Sequence, residues 1–161
     1  MRLGKAHLKF KEMKKMILTV ATILTVGLVN AQWTKDRVDN GLDEPYKICY
    51  TAINNGGFLK LEGDTSGIAF YVAGGYYCED SPLVNISFLV NNQWEKYSVW
   101  GNTSSNNKAV FFTMNLKNEV FFKDFLNATS VKIRINETYC DNETYQFNMA
   151  GSTSAFNFLN K

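Results

Sequence analysis

From Tyr46 to Met149 apolar and polar residues alternate with a period of two, and Gly- and Asn-rich turns interrupt the alternation at roughly ten-residue intervals. A strand exposes successive side chains on opposite faces, so such a chain forms short strands with one buried and one wetted side. Ile68, Phe70 and Val72 alternate with Ala69, Tyr71 and Ala73, and Val84, Ile86, Phe88 and Val90 alternate with Asn85, Ser87 and Leu89. Val131, Ile133 and Ile135 alternate with Lys132, Arg134 and Asn136. Turns are expected at Asn54–Gly57, Gly63–Gly67, Asn91–Asn92 and Cys140–Glu143, with a bend at Gly74–Gly75. The pattern predicts an all-β domain, an antiparallel sandwich or barrel of about seven or eight short strands.

The period breaks once. Val120, Phe121, Phe125 and Leu126 recur at helical spacing after Asn118, an N-cap residue, and Glu119, which suits the first turn. One short helix is expected over Glu119–Asn127. The tail "GSTSAFNFL" reads as one more helical turn capped by Ser152 or Ser154, and residues 32–46 read as polar and irregular.

The first 31 residues read as an export signal. Lys14 and Lys15 precede an apolar run from Met16 to Val29, and Val29 and Ala31 supply the small −3 and −1 residues before Gln32. Met13 is an alternative initiator, because a complete signal follows it. The run is shorter than the roughly 20 residues a membrane span needs. The expectation is a cleaved leader, 1–31, then one secreted or periplasmic domain, 32–161, with no membrane span.

The leader holds six of the 17 basic side chains and one of the 15 acidic ones, so the remainder carries a net charge near −3 rather than the +2 of the full chain. The remaining basic residues Lys108, Lys117, Lys123, Lys132 and Arg134 are scattered along the sequence, which argues against nucleic acid as partner. The single histidine, His7, is in the leader. Triads, Cys–His dyads and His-based metal sites are therefore excluded from residues 32–161. No catalytic residue, metal or cofactor is predicted; carboxylate chemistry is what remains for an enzyme. Asp124 is expected to face solvent. The acidic groups Asp36, Asp39, Asp43, Glu44 and Glu79, Asp80, Asp141, Glu143 read as surface and turn polarity rather than calcium ligands.

Three cysteines allow at most one intramolecular bond. Cys78 and Cys140 both follow tyrosines at strand ends, making them the natural pair, with Cys49–Cys78 or no bond as alternatives. A loop of that length corresponds to about 4 kcal/mol in the chain-entropy model. Cys49 is mid-strand and expected to be a buried, inert thiol.

A two-residue turn at Asn91–Asn92 fixes a register that puts Leu89 opposite Trp94, Ser87 opposite Lys96, Asn85 opposite Ser98 and Leu83 opposite Trp100, on the face away from Val84, Ile86 and Phe88. Trp94 and Trp100, about 20 Å apart, then either lie under the N-terminal segment or the helix, or form an aromatic platform with Lys96, Leu83 and Leu89 that binds a ligand.

The order "VNISFLVNNQWEKYSVW", "FFKDFLNATSVKIRI" and "FNMAGSTSAFNFL", over about residues 83–159, resembles small periplasmic β-sandwich proteins of the invasion-associated and type VI secretion accessory kind. The resemblance implies a secreted non-enzymatic accessory protein and carries over no functional residue. The first expectation is thus a secreted or periplasmic binding or accessory module for a protein partner. The others are a carbohydrate-binding module using Trp94 and Trp100, and a small carboxylate-dependent hydrolase. Oligomeric state is left open.

Overall fold

In the computed structural model the alternating segments pair into two antiparallel sheets. It describes residues 33–39, 41, 45–53, 56–63 and 67–160; the expected leader and its cleavage point, and Asp43 and Glu44, lie outside them. The strands are β1 (Thr34–Val38), β2 (Tyr46–Ala52), β3 (Phe58–Gly63), β4 (Gly67–Ala73), β5 (Leu83–Val90), β6 (Gln93–Trp100), β7 (Asn102–Thr103), β8 (Ala109–Asn115), β9 (Ser130–Asn136) and β10 (Glu143–Asn148). One sheet has the order β1-β2-β3-β4-β8-β7 and the other β10-β9-β5-β6. The all-β sandwich is the expected class.

The strand count exceeds the expected seven or eight because of β1 and the two-residue β7. β1 falls in the segment read as irregular. Its residues Thr34 to Arg37 are exposed, so it has no apolar face to reveal it, and its pairing with β2 alone makes it a strand. Helix α1 covers Glu119–Asn127, and the Asn118 side chain accepts from the Phe121 amide at 3.2 Å. The tail forms a full second helix, α2 (Ser152–Leu159), where one turn was expected. Neither serine caps it; Gly151 stands at the N-cap in the left-handed region, φ 86°.

The inner faces supply the core: Leu59, Leu61, Ile68, Phe70, Val72, Val110 and Phe112 from the larger sheet, Val84, Ile86, Phe88, Val131, Ile133, Ile135 and Phe147 from the smaller. α1 drives Phe121 and Phe125 between them. Phe121 meets Phe70 and Phe88 edge-on at 5.6 and 5.2 Å, geometry that aligns ring edges with ring faces across both sheets. Near β10, Gly74 and Gly57 approach so closely that a Cβ on Gly74 would lie 2.7 Å from the Gly57 Cα, and Gly74 has φ 138°. Both glycines border the Tyr145 ring, which fills the gap their missing side chains leave.

Candidate functional site

The β5–β6 turn takes the conformation its sequence favours, with Asn91 and Asn92 at φ 49° and 65°, as a type I′ turn needs. The resulting register pairs Leu83 with Trp100, Asn85 with Ser98, Ser87 with Lys96 and Leu89 with Trp94, as the turn length predicts. β9 runs along the other side of β5 and places Asn136, Arg134, Lys132 and Ser130 in the same four rows, and β10 adds Thr144, Gln146 and Asn148. Since Val84, Ile86, Phe88, Val131, Ile133 and Ile135 are buried, these partners point outward.

The outer face is therefore a grid with a tryptophan at each end of its edge strand. Trp100 is 71 % exposed and Trp94 38 %. Neither expected cover lies over them: β1 pairs with β2 in the other sheet, and the rings of Phe121 and Phe125 on α1 point into the core. Leu83 and Leu89 are half-buried between their neighbours and Lys96 is exposed. Trp94 has a partner that sequence reading missed. The Lys132 ammonium stands over its ring, 5.1 Å from the centroid, a cation–π contact made across the intervening strand. An open depression of about 530 Å³ lies over the middle rows, lined by Asn85, Ser87, Lys96, Ser98, Lys132, Arg134 and Thr144, with Tyr97 at the strand edge.

Three carboxylates, Asp124, Glu137 and Glu79, are engaged elsewhere. Asp124, expected in solvent, is half-buried and accepts from the Tyr97 hydroxyl at 2.5 Å, which anchors the underside of β6 to α1. Burial, then this bond, raises the Tyr97 pKa. Glu137 is buried, and its Oε1 accepts from the amides of Cys78 and Glu79 at 2.6 and 2.9 Å. Glu79 in turn accepts from the Thr138 amide, which holds its carboxyl below the usual range. Cys78 and Cys140 lie at disulfide distance, Cα to Cα 6.1 Å, so the segments before β5 and between β9 and β10 are tied together twice. This end also presents Tyr139, 86 % exposed, and Tyr76. Among the described residues no group of three or more His, Cys, Asp or Glu side chains is placed to hold a metal ion, and no helix is long and apolar enough to cross a membrane.

The outer face of the larger sheet is a second exposed surface. Tyr50, Lys60, Tyr71 and Phe111 form one row of it, with Phe58 beside them. Its cation is already partnered: Lys60 lies 3.8 Å over the Tyr71 ring and 3.1 Å from Glu62. No protein-family model, curated protein or solved structure matches the chain.

Proposed function

We propose that this protein is a non-enzymatic binding module, exported by its leader, that holds a glycan chain along the outer face of the β10-β9-β5-β6 sheet. The carrying observation is that Trp94 and Trp100 share one open face of a single rigid strand with hydrogen-bonding side chains between them. Indole rings offer flat apolar area for sugar rings, and Asn85, Ser87, Ser98 and Thr144 offer donors and acceptors for hydroxyls. A strand backed by α1 through Tyr97 and Asp124 keeps this array preorganised, which lowers the ordering cost of binding. The accessory role implied by the resemblance is compatible with such a module.

Affinity electrophoresis against a panel of polysaccharides tests the reading, with a Trp94→Ala/Trp100→Ala double variant checked by circular dichroism. Retardation of the protein that disappears in the folded variant supports it. No retardation on any polysaccharide overturns it.

Docking of a protein partner is the second reading, favoured by the aromatic row of the larger sheet. Substituting Tyr50 and Phe58 with Ser would then abolish partner capture and leave electrophoretic retardation unchanged.

A further inference from the structure

Lys96, Lys132 and Arg134 are the charged residues at the outward positions of β5, β6, β9 and β10; no Asp or Glu stands there. Lys96 and Lys132 lie in one row on either side of Ser87, about 10 Å apart at two strand spacings. Arg134 follows Lys132 on the same side of β9, about 7 Å along the strand. None of the three forms an ion pair among the described residues, whereas Lys60 on the opposite sheet is matched to Glu62. The acids of these strands, Glu95 and Glu143, stand in the inward register, Glu143 opposite Ile135. Glu95 is opposite Phe88, and Asp124 of α1 is bonded to Tyr97 beneath the strand.

Such a face is notable in a chain whose residues after the leader are net acidic. Scattered lysines on an acidic protein are ordinarily offset by neighbouring carboxylates, but here the topology sorts three cations onto the same face as the two tryptophans. We infer that the glycan is a polyanion, a sugar polymer carrying carboxylate or sulfate groups, whose rings rest on Trp100 and Trp94 while its anions meet Lys96, Lys132 and Arg134. This rests on the glycan reading above and narrows it. A guanidinium suits bidentate pairing with a carboxylate or sulfate, and a lysine held over an indole presents a charge beside a stacking surface. An anionic sugar at Trp94 would thus meet Lys132, and the next one along the chain would meet Arg134.

The test is affinity electrophoresis of the protein in gels holding polygalacturonate, its methyl ester, dextran sulfate, dextran or oligodeoxythymidylate, at low and high salt. The wild-type protein, Lys132→Gln/Arg134→Gln, Lys96→Gln and Trp100→Ala are compared. The expected result is retardation by polygalacturonate, dextran sulfate or both, the choice between them identifying the anion. It should weaken about tenfold in the double Gln variant, a sum of exposed charge contacts, and fall with salt. Trp100→Ala should weaken it at every salt concentration, and Lys96→Gln, at an exposed position remote from the core, repeats the charge test independently. Equal retardation by the methyl ester or dextran, unchanged in the Gln variants, overturns the polyanion inference and leaves the glycan reading standing. Retardation by oligodeoxythymidylate as strong as by the polysaccharides overturns it in favour of general phosphate binding. No retardation by any polymer overturns both.

Discussion

The Tyr97 hydroxyl donates to the Asp124 carboxylate at 2.5 Å, joining the edge strand of the smaller sheet to helix α1. On the opposite side of the same strand stand Lys96 and Ser98, between Trp94 and Trp100. The strand that carries the candidate face is thus fixed from below by a charge-assisted bond, and the Tyr97 ring adds an edge contact with Phe121 at 5.1 Å.

Breaking that bond should loosen β6 first. Tyr97→Phe and Asp124→Ala are each expected to cost about 1.5 kcal/mol in urea unfolding, the lower end for a hydrogen bond to a charged group because the site is half-exposed. The double variant should cost little more than either single one. Additive losses would mean the two residues act separately.

Replacing Cys78 and Cys140 with Ser should destabilise the protein by about 2–5 kcal/mol, since the pair closes a separation of 62 residues. Reductant should lower the melting temperature of the wild-type protein and leave that of the double Ser variant unchanged. Equal melting temperatures with and without reductant in the wild type would count against the bond.

Cys49 should behave differently. It is fully buried on β2, and burial pushes its thiol up to about 11, with Lys35 pulling slightly the other way. Its folded pKa lies above the ordinary thiol value, so its contribution is complete below that value and is lost as pH rises from about 9 towards 11. A disulfide-exchange reagent at pH 8 should label it only after denaturation. Prompt labelling of the native protein would contradict the burial.

Glu79 works at the other end of the pH range. Hydrogen bonds from Thr138 hold its folded pKa below the usual carboxylate value, so their stabilisation is present at neutral pH and is lost as pH falls through that lowered value. Hydrogen exchange of the Thr138 amide should accelerate there relative to strand amides. Glu79→Gln should remove the acid-dependent step.

Gly74→Ala should cost about 2–3 kcal/mol. The new Cβ would lie 2.7 Å from the Gly57 backbone, where no flexible side chain can give way, and φ 138° strains any L residue. The measurement is the urea midpoint. Gly41→Ala, with φ 70° and nothing within 4 Å, should cost less, because both the clash and the more extreme backbone strain are absent there.

Local chemistry was enough for much of this fold. Period-two alternation in β4, β5 and β9 identified the buried faces, because neighbouring side chains must point oppositely. The Asn91–Asn92 turn set the β5–β6 register down to the Trp100–Leu83 pair, and Asn118 marked the start of α1. β1 escaped because an edge strand without an apolar face carries no periodic signal, and α2 was shortened because Gly151 caps it instead of a serine.

The candidate site divides in the same way. That Lys132 and Arg134 share one side of β9 is legible in "VKIRIN" alone. That β9 lies beside β5, which brings Lys132 into the row of Lys96 and Arg134 into the row of Ser98, is a pairing between segments about forty residues apart. No local propensity encodes it. In the sequence these basic residues read as scattered, and only the strand order of the folded sheet gathers them. Alternation is written residue by residue, whereas strand neighbours are chosen by the packing of the whole core. The sequence by itself determined which side chains face outward; the tertiary structure decided which of them stand together.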